Sequence, residues 1–200
     1  MLRISKALAL GGIFTLLGVA PAFAQYDEGA RYRDQGVMVY GLAGGFTALS
    51  DLNALEDSFK TGFSLGGGVG YQINRHLAVR GNLDFSRAKA DTPFTPPIDN
   101  QDYDRYFYGV DLQVRYPTRS GLAPYAVIGG GGVTIDPQIA GMDTFTKPAG
   151  KVGAGIGYHF RNSGTSVFAE WNGWVYDWDR NDVNRTQFDT TWSGGLRFTF

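Results

Sequence analysis

The sequence predicts an all-β fold: an eight-stranded antiparallel up-and-down β-barrel that crosses a membrane. Three observations carry this. Eight segments alternate apolar with polar or small side chains, the two-residue period of a strand with one face in an apolar environment. The connections between them alternate short and long. The first 24 residues have the layout of an export signal.

That signal has a positive start at Arg3 and Lys6, an apolar run over Ala7–Ala20, and the small-x-small pattern Ala22-Phe23-Ala24. The apolar run is too short for a membrane helix and leads directly into a cleavage pattern. Residues 1–24 therefore read as a cleaved signal peptide of bacterial type, 25–35 as a periplasmic N-terminal segment and 36–200 as the barrel. The 18 basic residues, less Arg3 and Lys6, against 19 acidic ones leave a net charge of −3, which argues against nucleic acid as a partner. With no cysteine, disulfides, thiolate metal sites and a cysteine nucleophile are excluded. No later segment has the roughly 18 apolar residues of a membrane helix, which leaves a closed barrel as the way to span.

The strands follow in order. Met38–Phe46 is Gly-rich, so its register is weakly specified. In the second, Phe63, Leu65, Gly67, Val69, Tyr71 and Ile73 alternate with Ser64, three glycines and Gln72. In the third, Leu77, Val79, Gly81, Leu83 and Phe85 alternate with Ala78, Arg80, Asn82, Asp84 and Ser86. The fourth sets Tyr106, Tyr108, Val110, Leu112, Val114 and Tyr116 against Arg105, Phe107, Gly109, Asp111, Gln113 and Arg115. Tyr125–Val133, the fifth, is again Gly-rich. The sixth sets Val152, Ala154, Ile156, Tyr158 and Phe160 against Lys151, three glycines and His159. Val167–Trp178 alternates through Glu170 and Asn172, then turns aromatic at Trp174, Tyr176 and Trp178. In the last, Phe188 to Phe200 carries one apolar face, opposite Gln187, Asp189, Ser193, Arg197 and Thr199.

Short connections lie at Asn74-Arg75, Pro117–Gly121 and Arg161–Gly164. Longer polar ones lie at Ala48–Lys60, Arg87–Asp102, Asp136–Thr146 and Asp177–Arg185. Every tight turn and both termini then fall at one end, the arrangement of barrels with tight periplasmic turns and longer extracellular loops. An exported β-sandwich also alternates. Here, however, aromatics stand near both ends of the apolar faces: Tyr71, Tyr116, Tyr158 and Phe200 at one, Phe63, Phe85, Phe188 and Trp192 at the other. Two aromatic bands around an aliphatic belt fit membrane interfaces better than a sandwich core.

The whole strand pattern, with "PYAVIGGGGV" (Pro124–Val133), "GKVGAGIGYHF" (Gly150–Phe160) and the terminal "SGGLRFTF", resembles the small eight-stranded outer-membrane barrels. These include the transmembrane domain of outer-membrane protein A and the opacity-type surface proteins. The resemblance implies a place in the outer membrane of a Gram-negative cell, in contact with its lipid and lipopolysaccharide. It also implies that Ser193, Gly195, Phe198 and Phe200 form the signal read by the barrel-assembly machinery. It carries no cell-wall tether, because no peptidoglycan-binding segment follows the last strand in this sequence.

Eight strands enclose a space that side chains about fill. The inward set holds Arg80, Arg105, Arg115, Lys151 and Arg197 against Asp84, Asp111, Glu170 and Asp189, a near balance that predicts a lumen network of ion pairs, because unpaired buried charge is strongly disfavoured. The alternative is a narrow, porin-like ion channel through the same charges, helped by room beside the inward glycines Gly66, Gly68, Gly70, Gly153, Gly155 and Gly157. An outer-membrane enzyme ranks third. The only histidines, His76 and His159, stand beside short turns and not at the outer rim, where related barrels that modify lipid A carry theirs. "DWDRND" (Asp177–Asp182) begins like a calcium loop but has Asp182 for the turn glycine and Phe188 for the bidentate glutamate. The glycine runs Gly66–Gly68 and Gly129–Gly132 lack the Lys-Ser/Thr and helix of a phosphate loop. The expectation is a non-enzymatic barrel without metal or cofactor, with a structural or surface-interaction role. The acidic loops are its contact surface, with the proline-stiffened "TPFTPPIDN" in one of them, for a partner the residues do not name.

Overall fold

A computed structural model describes residues 35–48, 61–89, 102–137, 144–160, 163–180 and 183–200. The predicted signal and N-terminal segment, and most of the first three long connections, lie outside the described residues. The strands are β1 (Gly36–Ala48), β2 (Gly62–Gln72), β3 (Leu77–Lys89), β4 (Asp102–Arg115), β5 (Leu122–Pro137), β6 (Phe145–His159), β7 (Thr165–Arg180) and β8 (Val183–Thr199). Each pairs antiparallel with its neighbour in sequence, and β8 returns to β1, with Met38 opposite Thr199 and Ala48 opposite Asp189. Closure leaves no free edge along the wall, which lets a sheet stand in hydrocarbon with its backbone satisfied.

The tight turns are built by short polar side chains. Between β2 and β3, the Asn74 Oδ1 accepts from the backbone N–H of His76 (2.8 Å) and Leu77 (2.9 Å), an Asx turn. Between β4 and β5, Gly121 sits at φ 88°, a left-handed conformation that disfavours any β-carbon, and its N–H bonds to Thr118 O. Between β6 and β7, the Ser163 hydroxyl accepts from the Thr165 N–H at 3.0 Å. Beyond β8, the Phe200 N–H donates to Val37 O at 2.8 Å, holding both chain ends of the barrel at this same rim.

The alternation sorts the side chains as a membrane barrel requires. Val69, Leu83, Val110 and Ile128 are more than half exposed on the outer face, whereas Arg80, Asp111, Lys151 and Glu170 are buried on the inner one. Above the aliphatic belt, Phe63, Phe85 and Tyr106 form a continuous outer row with ring centroids 5.9 and 5.2 Å apart. Trp192 extends the band on β8, and Tyr71, Tyr158 and Phe200 face outward at the turn end.

Two expectations are corrected. The last connection is not a loop over Asp177–Arg185: the β7–β8 ladder continues through Asp177↔Thr186 to Arg180↔Val183. Once the ribbon clears the hydrocarbon, water satisfies both faces, so the hydropathy contrast fades while the backbone ladder persists. The Thr186 hydroxyl bonds across it to Asp177 at 3.2 Å. Five of the six inward glycines, all but Gly157, leave no room for a side chain. A β-carbon at Gly66 would collide with the Asp84 carboxylate, at Gly68 with the Tyr40 hydroxyl and at Gly155 with the Tyr125 ring. These glycines make space for large side chains reaching across from other strands, and that space is filled.

Candidate functional site: the lumen and the closing strand

Strand register orders the inward side chains into layers between the tight-turn end and the loop end. In the middle, Arg80 from β3 joins two carboxylates: it donates to Glu170 on β7 (2.8 and 3.2 Å) and to Asp111 on β4 (3.1 Å). Lys151 on β6 donates to the same Asp111 oxygen at 2.8 Å, and the Asn172 amide donates to Glu170 at 3.0 Å. All these side chains are essentially inaccessible to solvent. Four strands are thus cross-linked through the bore, with each bond charge-assisted and shielded from screening by salt.

Toward the loop end a second, separate pair forms. Arg105 donates to Asp189 at 2.8 Å, the Tyr176 hydroxyl donates to the same oxygen at 2.7 Å, and the Gln187 amide donates to the other at 3.1 Å. Around it lies an apolar layer that the sequence reading did not single out: Phe46, Phe107, Val133, Ile135, Trp174 and Tyr176. Phe107 stacks on Trp174 at 4.7 Å, with Lys151 beneath the indole at 4.9 Å and Arg105 over Phe46 at 4.7 Å. Phe46, Phe107, Val133, Ile135 and Trp174 are no more than 1% exposed. This is a buried aromatic plug inside the barrel.

Toward the tight-turn end, Tyr40, Tyr125, Val127 and Phe168 form a third layer. Arg197 lies over the rings of Phe168 and Tyr125 at 5.2 and 5.7 Å, held by π faces. Arg115 donates from Nε to the Arg75 carbonyl at 2.9 Å, tying the rim to the β2–β3 turn, and His76 Nδ1 lies 3.2 Å from the Arg115 carbonyl oxygen.

Of the predicted lumen charges, the structure therefore joins Arg80, Asp111, Lys151 and Glu170 in one cluster and gives Asp189 to Arg105. It places Arg115 at the tight-turn rim, Arg197 among aromatics, and Asp84 apart from both ion-pair clusters. The terminal motif divides by parity. Ser193 and Gly195 face inward, with the Ser193 hydroxyl on the Glu170 carbonyl at 3.3 Å and Gly195 packed under the Phe168 ring. Phe198 and Phe200 face outward, Phe200 at 66% exposure. Among the described residues no group of three or more His, Cys, Asp or Glu is placed to hold a metal ion.

An all-antiparallel closed sheet of eight strands, greasy and aromatic-banded outside, charged and packed inside, defines a transmembrane β-barrel. The chain belongs to the outer membrane protein beta-barrel domain family, which matches residues 9–200, and membership places it in the outer membrane. Among solved structures it is similar to Neisserial surface protein A, at 21% identity and a TM-score of 0.59, covering 82% of this chain and 97% of that one. It is also similar to OprG from Pseudomonas aeruginosa, at 15% identity and a TM-score of 0.51, covering 87% and 99%. At such identities the likeness is one of fold. No curated protein matches the sequence.

Proposed function

We propose that this barrel is a closed, non-enzymatic outer-membrane protein whose role is structural or surface-interacting, with the extracellular loops as its contact surface. The observation that supports this best is the Phe46–Phe107–Trp174 layer. It fills the bore just inside the extracellular mouth with apolar rings, above a cluster of ion pairs that is itself buried. An ion crossing it would exchange water for hydrocarbon-like surroundings, a cost that fixed charges elsewhere in the bore do not repay. The barrel wall is thereby a rigid frame, and variation is left to the loops.

The competing reading, a narrow ion channel, has in its favour the charged middle of the lumen. It requires the aromatic layer to part and the Arg80 cluster to rearrange together. Liposome swelling distinguishes the two: proteoliposomes in isotonic glycine or arabinose should swell no faster than empty vesicles. Swelling that scales with protein content would sink the closed-barrel reading.

A further inference from the structure

The two ends of the barrel carry opposite charge. The long connections with the strand ends beside them, 47–61, 87–104, 136–147 and 177–186, hold 12 acidic residues against 6 basic ones. The tight turns with the strand ends beside them, 72–79, 113–126 and 156–168, and the terminal 194–200 hold no Asp or Glu. Their described residues carry Arg75, Arg115, Arg119 and Arg197, with His76 beside the first. Ahead of β1 the sequence nearly balances, with Asp27, Glu28 and Asp34 against Arg31 and Arg33.

Arg115 and Arg197 are buried in the lumen, whereas Arg75 and Arg119 stand in the turns themselves, Arg119 exposed and Arg75 half-buried. Both turns are fixed. Arg75 lies inside the Asx turn made by Asn74, and its carbonyl accepts from Arg115 Nε at 2.9 Å. The Thr118 hydroxyl lies 2.9 Å from that of Ser120 and donates to the Leu122 carbonyl at 2.7 Å, pinning the turn that holds Arg119. Outward rings set the depth. Tyr71, Tyr158, Phe160 and Phe200 are each at least 39% exposed on the outer face, and the Tyr116 ring lies 6.2 Å from that of His76. Aromatic rings so placed settle at the membrane interface. Arg75 follows Tyr71 by four residues and Arg119 follows Tyr116 by three, which carries both arginines past the rings to the level of the headgroup phosphates.

A guanidinium matches a phosphate in charge and in the spacing of its donors, and a turn fixed in advance loses little freedom when it binds. We propose that Arg75 and Arg119 bind the phosphates of anionic phospholipid at the tight-turn end, while the acidic loop end disfavours the same lipid. Arg115 and Arg197 lie too deep to touch a headgroup, but their charge adds to the positive potential of this end. Each basic residue at an anionic bilayer surface favours association about fivefold.

The test compares the two ends of the full mature chain, refolded into phosphatidylcholine vesicles. One single-tryptophan variant keeps Trp192, in the aromatic band toward the loop end; the other has Tyr116→Trp as its only tryptophan, beside the tight turns. Quenching by brominated phosphatidylglycerol is compared with quenching by brominated phosphatidylcholine at equal mole fraction. The Tyr116→Trp reporter should show phosphatidylglycerol enriched at least fivefold at low salt, and less at high salt; Trp192 should show no enrichment. Arg75→Gln/Arg119→Gln in the reporter chain should bring the preference below twofold with the compact gel band retained. Should that chain fail to refold, Arg119→Gln alone, in the exposed turn, should lower the preference at least twofold. Equal quenching by the two lipids at the tight-turn reporter overturns the inference, as does a preference that survives the substitutions or appears equally at Trp192. Capture of the lipid-indifferent barrel by peptidoglycan through the same arginines would also overturn it, making the cell wall the partner of this end.

Discussion

Arg80→Met is the sharpest perturbation of the lumen. The guanidinium is wholly buried and makes three hydrogen bonds, at 2.8, 3.2 and 3.1 Å, to two carboxylates whose side chains are each 1% exposed. Removing it leaves Asp111 on Lys151 and takes both guanidinium bonds from Glu170, which keeps the Asn172 amide. Breaking a buried pair from one side costs about 3–5 kcal/mol, because the partner's charge stays behind. Glu170→Gln should cost less, since Arg80 keeps Asp111. In the double variant Arg80→Met/Glu170→Gln the stranded charge is gone. Its loss should fall short of the sum of the singles by about 2 kcal/mol, the coupling expected of groups in one network. Urea unfolding in lipid vesicles, followed by tryptophan fluorescence and the gel band, measures all three. Additive losses, or a cost below about 1 kcal/mol for Arg80→Met, would show that the bore is filled without being held by its charges.

Other expectations follow from closure and sidedness. Because every strand is paired on both sides along the wall, unheated protein should migrate differently from boiled protein on detergent gels; identical mobility would contradict a closed barrel. In single-tryptophan variants, Trp192, 64% exposed on the outer face, should be quenched by brominated lipid. Trp174, stacked inside on Phe107, should be quenched by neither brominated lipid nor aqueous iodide; quenching of Trp174 would mean that the plug is open. Deleting Phe200 removes an outward ring and the hydrogen bond to Val37, at most about 1.5–3 kcal/mol for the ring. Refolding in detergent should survive while insertion in cells falls sharply; normal insertion would reduce the terminal motif to a strand end.

How far the sequence could be read depended on how local each feature was. Inward and outward faces follow from parity within a single strand, so Arg80, Asp111, Lys151, Glu170, Asp189 and Arg197 were assigned to the bore without knowledge of their neighbours. Partner choice was not legible, because it depends on the cumulative offset of strands around the barrel. Asp189 on β8 meets Arg105 on β4, four strands away in either direction around the closed sheet, only through the bore, and Asp84 misses both clusters. The aromatic plug left a weak signal: toward the loop end β4 and β7 become apolar on both faces, with Phe107 beside Tyr106 and Tyr108, and Trp174 beside Val175. The last hairpin was hidden for the opposite reason, since outside the bilayer both faces turn polar and alternation no longer marks a strand.

The central claim is that the lumen is shut. Single-channel recording of the refolded protein in planar bilayers tests it most directly. The occluding Phe46–Phe107–Trp174 layer above the Arg80 cluster gives a flat trace, with no regular unit steps in potassium chloride at either polarity. Regular, ion-selective steps from the wild-type barrel would contradict the account.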